Sequence, residues 1–206
     1  MKETGLMFKA PLVRAILEGR KTQTRRVVKR LPLRINRDAN AMEIDVANIE
    51  NGEFAKRVPC PMGQPGDRIY VRETFSQHPE WGQLAFRADG EEFEDADGWL
   101  WEPKWMPSIH MPKDLARIWL EVTGVRVHVL QDISNEDAIA EGVNRIAHGR
   151  EGSYYSAIRN EQHPKNWICP DDAFRELWES TGGDWDANPW VWAIDFKVLS
   201  TTGRPA

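Results

Sequence analysis

Arg117-Ile118-Trp119-Leu120-Glu121-Val122-Thr123-Gly124-Val125-Arg126-Val127-His128-Val129 alternates between apolar and polar side chains, and its parity changes midway. Ile118, Leu120 and Val122 share one parity, whereas Val125, Val127 and Val129 share the other. A period of two marks an extended strand with one buried face. The change beside Gly124 therefore predicts two strands, or one strand bent at a bulge.

Elements of both kinds lie on either side. Upstream, Pro61, Gly63, Pro65 and Gly66 punctuate the chain before Asp67-Arg68-Ile69-Tyr70-Val71-Arg72-Glu73, whose alternation predicts another half-buried strand. Downstream, Asp132 or Ser134 suits the cap of a helix across Glu136, Ala138, Ile139 and Glu141 that ends near Gly142. A second helix is predicted over 171–180, where Phe174, Leu177 and Trp178 form an apolar face. Trp190, Trp192, Ile194, Phe196 and Val198 alternate as a final strand, and Gly203-Arg204-Pro205-Ala206 reads as a frayed tail. Near the start, Pro11 opens a short helix over Leu12, Val13, Ile16 and Leu17, with Gly19 just past its end. Gly19 to Arg26 then reads as a turn entering an extended segment, and the chain from there to about residue 60 is weakly periodic.

These elements predict an α+β fold: a small mixed or antiparallel β-barrel with helices flanking its openings. The 206 residues are enough for one substantial core and too few for two full-sized domains. We expect a single domain over 1–206 with an insertion at 76–112 and a variable one at 144–169. The first insertion carries Trp81, Trp99, Trp101 and Trp105 around Asp89, Glu91, Glu92, Glu94, Asp95, Asp97 and Glu102. It reads as a decorated excursion with a hairpin, held by its aromatic residues or offered to a protein partner.

Charge is unevenly distributed. Residues 1–37 hold 11 basic and 2 acidic residues, whereas the rest of the chain carries a net charge of −14. The positive end suits a phosphate-bearing partner or a solvated charged face. Cys60 and Cys169 give no disulfide framework. No stretch approaches the roughly 18 apolar residues of a membrane span, and the start lacks a secretory signature, so a cytoplasmic protein is expected. His78, His110, His128, His148 and His163 form no ligand pair at helical or turn spacing, so neither a metal nor another cofactor is expected. Glycine-rich phosphate loops, serine elbows and dinucleotide fingerprints are missing as well.

One cluster concentrates chemically useful groups: Arg20, Lys21, Thr22, Thr24, Arg25 and Arg26. Lysine supplies a compact charge, threonine a hydroxyl, and arginine a fork for phosphate or carboxylate. On a regular strand Lys21 and Thr24 would face opposite ways, so a turn or bulge is needed if they share a site. Glu73 and Glu141 are the carboxylates of interest. Glu141 sits where a negative charge opposes the helix dipole, unless a cation lies beside it.

Leu12 to Arg26, Pro65 to Thr74, His110-Met111-Pro112, Arg117 to Val122, Gln131 to Val143 and Trp190 to Lys197 together resemble the ASCH-domain family, whose fold is PUA-like. The blocks span nearly the whole chain, and the long form with Trp-rich insertions resembles phage and prophage members. Small bacterial members are amidohydrolases acting on N4-acylated cytidines such as N4-acetylcytidine; others resemble RNA-binding modules or ribonucleases. The resemblance places the catalytic lysine, threonine and glutamate on Lys21, Thr24 and Glu141. Thr24 or a Glu141-activated water would attack the acyl carbonyl, with Lys21 stabilising negative charge. The resemblance implies a cytidine-like nucleoside as ligand, whereas Arg25 and Arg26 enlarge the positive surface beyond what a neutral nucleoside requires and favour a nucleotide or single-stranded RNA. Arg20, Arg25, Arg26 and Arg72 would meet its polar groups together with Glu73, and Tyr70, Trp81 or Trp119 would stack a base. The alternatives are a noncatalytic RNA-binding module or ribonuclease, and a phage structural protein that docks a partner through 76–112.

Overall fold

The computed structural model describes residues 1–29, 43–47, 54–90, 92–94, 97–147, 152–157 and 166–205. His148, His163, Glu91, Asp95 and parts of the 144–169 insertion lie outside these. The elements begin with β1 (Glu3–Met7), α1 (Ala10–Leu17), β2 (Gln23–Val27), β3 (Glu43–Ala47), β4 (Phe54–Pro59) and β5 (Arg68–Arg72). They continue with β6 (Phe75–Gln77), β7 (Leu84–Phe86), β8 (Phe93–Glu94), β9 (Leu100–Trp101) and β10 (Trp119–Val129). The remainder are α2 (Asn135–Ala140), β11 (Asn144–Ala147), β12 (Ser153–Ser156), α3 (Pro170–Ser180) and β13 (Trp190–Ser200).

The architecture is α+β. Five strands form one mixed sheet in the order β1-β5-β10-β13-β2, in which β1 and β5 are parallel and the other pairs antiparallel. The remaining strands form two-stranded ribbons: β3 with β4, β6 with β7, β8 with β9, and β11 with β12.

The parity change resolves into one bent strand. In β10, Val122 pairs with Phe196 and Gly124 with Asp195, so Thr123 is the extra residue of a bulge. The bulge returns Val125 and Val127 to the face already occupied by Ile118, Leu120 and Val122, and all five join one core. Glycine at 124 leaves room for the Asp195 carboxylate, since a Cβ there would lie 2.8 Å from Asp195 Oδ2 and displace it.

The expected barrel does not form: among the described residues no strand pairing joins β1 to β2. A side chain spans the gap instead, with Arg26 Nη2 of β2 donating to the Met7 carbonyl of β1 at 2.9 Å. Helix α1 leaves β1 at once and buries Val13 and Ile16 in the main core with Phe8, Ile69, Leu120, Trp192 and Ile194. A second core lies around α2 and α3, where Leu130, Ala138, Phe174, Leu177 and Trp178 meet Val191 of β13. Because β13 is covered on both faces at its centre, it buries Val191 and Trp192 alike.

The C-terminal tail is packed rather than frayed. Gly203 N donates to Arg117 O at 2.9 Å, and the Arg204 guanidinium pairs with Glu3 while lying 5.8 Å over the Trp119 ring. Among the described residues, no helix is long and apolar enough to cross a membrane.

Candidate functional site

Lys21 lies between three element ends. The backbone N–H groups of Arg20 and Lys21 donate to Ala15 O in the last turn of α1, and Thr22 N donates to Ala140 O at the end of α2. Strand β2 begins only at Gln23, so Lys21 lies outside the strand, in the segment that leads from α1 into it. Gly142 makes the junction tight. Its φ of +102° suits glycine, and a Cβ there would stand 3.2 Å from the Cβ atoms of both Ala15 and Lys21.

The Lys21 ammonium has no exposed surface, and all three of its N–H groups are used. Nζ donates to Gln23 O, Glu141 O and Glu141 Oε2, each at 2.7 Å. Burial holds the amine below its ordinary range, while Glu141 opposes that shift. Glu141 follows the last residue of α2, where a carboxylate opposes the helix dipole. Lys21 and Arg25 supply the compensating charge, with Arg25 Nη1 donating to Glu141 Oε1 at 3.0 Å.

Arg25 extends the cluster. Its Nη2 donates to Asp137 Oδ2 at 2.7 Å and lies 3.3 Å from His128 Nε2, Nη1 also reaches Gln23 Oε1, and Phe174 of α3 lies 5.6 Å from Cζ. Gln23 Nε2 donates to Asp137 Oδ1 at 3.1 Å and Asp195 Oδ1 at 2.6 Å, and Arg126 Nη2 reaches the same two oxygens at 3.0 and 3.4 Å. Burial works to raise the Asp137 carboxyl, but Arg126, Gln23 and Arg25 outweigh it and hold it below its ordinary value. His128 is pushed down by burial and by Arg25. Its Nδ1 lies 2.8 Å from Val129 O, so the neutral ring donates there and accepts from Arg25 at Nε2.

Thr24 faces the other way. It pairs with Ile194 on the main-core side of the sheet, whereas Gln23 and Arg25 point to α2. Its Oγ1 accepts from Arg26 Nη1 at 2.8 Å; among the described residues it bonds neither Lys21 nor Glu141. Arg26 lies 5.0 Å over the Phe8 ring and Lys21 Nζ lies 6.0 Å from that centroid, so both cations converge on Phe8 beside β2, whose other edge no described strand pairs.

The other expected residues are dispersed. Arg20 remains beside the cluster, with Nη1 donating to Gly142 O at 2.9 Å and Nε to Glu18 at 2.7 Å. Arg72 on β5 reaches the Ile109 carbonyl. Glu73 is buried against Arg117, which grips both of its oxygens at 2.9 and 3.0 Å and also holds Asp89. Tyr70 lies across Gly5, where a Cβ would be 2.6 Å from Cζ, and its ring is tilted against Trp119 at 5.7 Å. Trp119 is fully buried beneath Lys113 and Arg204 and donates from Nε1 to Ala116 O. A base could stack on it only after that cover moved, whereas Trp81 is 39% exposed.

Gln23, Arg126, His128, Asp137 and Asp195 were missed from the sequence. The signal was present: Asp137 in the first turn of α2 and Glu141 just past its end are four apart, and Gln23 and Arg25 are two apart on one strand, so each pair shares a face. Two carboxylates on one helix edge matched an amide and a guanidinium on one strand face. At the start of α3, Cys169 Sγ and carboxylate oxygens of Asp171 and Asp172 lie within 4.8 Å of one another, all exposed. These ligand types suit a divalent cation, although exposed acidic groups commonly cluster without one.

No protein-family model matches the chain, and no curated protein sequence does either. Among solved structures, the chain has a distant likeness to the high-resolution crystal structure of an ASCH domain from Lactobacillus crispatus JV V101. That match has 14% identity over 97% of this chain and 80% of that chain, with a TM-score of 0.37.

Proposed function

We propose that the Lys21–Glu141 centre binds a cytidine-like ligand and hydrolyses the amide of an N4-acylated cytidine, in keeping with the ASCH resemblance of residues 12–26 and 131–143. The observation that carries this reading is the 2.7 Å contact between Lys21 Nζ and Glu141 Oε2 across 120 residues of sequence, in a site where the lysine is fully enclosed. Opposite charges held together away from water are strong electrostatic tools for acyl chemistry.

The placement of Thr24 favours water as the nucleophile. Its hydroxyl accepts from Arg26 and has no bond to Glu141, which is therefore not placed to take its proton. Each Glu141 oxygen accepts one side-chain donor and retains acceptor capacity for a water. The water oxygen would bond to the acyl carbon as its proton passes to Glu141, and the carbonyl oxygen would take up negative charge near Lys21 and Arg26. The C–N bond then breaks, and Glu141 returns the proton to the departing N4 amine, leaving a carboxylic acid and cytidine. Thr24 and Arg26 would orient the amide. For a ligand to reach this centre, Arg26 must release Met7 O and Thr24.

A noncatalytic ligand-binding module is the second reading, favoured by the saturation of all three Lys21 N–H groups. The two separate by turnover. Wild-type protein is expected to release cytidine from N4-acetylcytidine, and folded Lys21→Ala and Glu141→Gln variants to lose at least about a hundredfold in rate. Full turnover in folded Glu141→Gln would sink the mechanism; absence of wild-type turnover beside an active control enzyme, with cytidine still bound, would establish the second reading.

A further inference from the structure

The Trp-rich excursion is built differently from the rest of the molecule. The β6–β7 ribbon is anchored by Phe75, Phe86, Met111 and Ala116, which form a small core of their own. Gln83 Nε2 donates to Glu94 O at 3.0 Å and ties the β8–β9 ribbon to it. None of Trp81, Phe93, Trp99, Trp101 or Trp105 belongs to a buried core cluster of the described residues.

Four of these rings form a ladder with His78 instead. His78 lies between Trp81 and Trp101 at 5.7 and 5.0 Å, and Phe93 lies between Trp101 and Trp105 at 6.3 and 5.5 Å, every pair edge to face. At the far end Arg87 covers the Trp105 ring, its Cζ 5.3 Å from the centroid. Trp99, just before β9, and Leu100, its first residue, are 73% and 75% exposed. Residues 80–105 carry eight acidic side chains and two basic ones. Glu80, Glu92, Glu94 and Glu102 are exposed and adjoin Trp81, Phe93 and Trp101 in sequence, and Asp97 is exposed two positions before Trp99.

The geometry points to a docking surface for an arginine-bearing segment of another protein. Indole faces attract guanidinium groups, the surrounding carboxylates accept their N–H groups, and Arg87 on Trp105 is an internal example of the same contact. Arginine suits this surface better than lysine, because its plane can stack on a ring while its edge donates to a carboxylate. The negative charge disfavours the phosphates of RNA. This surface is independent of the Lys21 site.

The test is fluorescence anisotropy on the full chain with a short labelled peptide of alternating arginine and alanine, alongside lysine–alanine and glutamate–alanine peptides and an oligouridine RNA. The arginine peptide is expected to bind more tightly than the lysine peptide, with no binding of the glutamate peptide and no RNA binding that depends on Trp99. The paired Trp99→Ser and Leu100→Ser changes, both at exposed positions, should weaken it about tenfold while leaving the near-UV circular dichroism outside the tryptophan bands unchanged. Glu92→Gln with Glu94→Gln should reduce both the affinity and its salt dependence. Equal binding of arginine and lysine peptides, or binding indifferent to loss of Trp99 and Leu100, would assign the attraction to diffuse charge and overturn the inference. So would RNA binding, or self-association of the chain, that depends on Trp99.

Discussion

Replacing Arg25 with methionine removes a buried cation from between two carboxylates. The guanidinium has no side-chain exposure and holds Glu141 and Asp137 at 3.0 and 2.7 Å. Breaking a buried ion pair from one side typically costs 3–5 kcal/mol, because the remaining charge is left uncompensated. Here the lower end applies, since Glu141 keeps Lys21 and Asp137 keeps Arg126 and Gln23. The expected loss is about 3 kcal/mol, which for a domain of this size lowers Tm by roughly 6–12 °C. Thermal unfolding followed by near-UV circular dichroism at neutral pH measures it, with Glu141→Gln made in both backgrounds. Because Arg25 is one of two cations compensating Glu141, neutralising that residue should cost at least about 1 kcal/mol less in Arg25→Met than in the parent. A Tm change below about 2 °C, or an equal cost of Glu141→Gln in both backgrounds, would refute the reasoning.

Two more perturbations probe the same neighbourhood. Gly142→Ala forces a side chain into positive φ and against Ala15 and Lys21, so it should destabilise by about 1–3 kcal/mol in chemical denaturation; an unchanged midpoint would mean that the α1–α2 junction is looser than described. His128 is held below its ordinary 6.5, faced by Arg25 and Arg126, with Asp137 opposing. The folded protein thus takes up this proton less readily than the unfolded chain, so the contribution is fully present above the ordinary value and lost as pH falls through the folded one. Tm should decline below about pH 6.5 in the wild type and decline less in His128→Gln, whose amide oxygen can still accept from Arg25; parallel declines would remove His128 as the cause.

Periodicity revealed the strands because burial on one face writes itself into alternation, and even the bulge showed as a change of parity beside Gly124. Glycine and proline likewise marked the ends of α1 and α2. That the sheet stays open was not legible, since β1 and β2 are linked by a side-chain bond from Arg26 to a carbonyl instead of a strand pairing, and such a bond leaves no periodic trace. The tail was misread for a related reason: Arg204 looks solvated in sequence, and only the position of Glu3 beside Trp119 gives it a partner. At the candidate site Lys21 and Glu141 do meet, but Thr24 and Glu141 lie on different sides of β2. The basic stretch suggested a charged surface, whereas Lys21 and Arg25 are interior because carboxylates from α2, more than a hundred residues later, neutralise them.

The order in which the ribosome releases the chain has a consequence for this sheet. Among the described residues β2 pairs with β13 alone, and the Gln23 amide bonds Asp195 across 172 positions. At typical elongation rates of about 5–20 residues per second, the nascent N-terminal third waits roughly 10–30 s for that strand. Throughout the delay the ammonium of Lys21 and the guanidinium of Arg25 belong to a hydrated, strongly cationic stretch rather than to an interior. Strand β13, emerging long after β2, is what completes their enclosure.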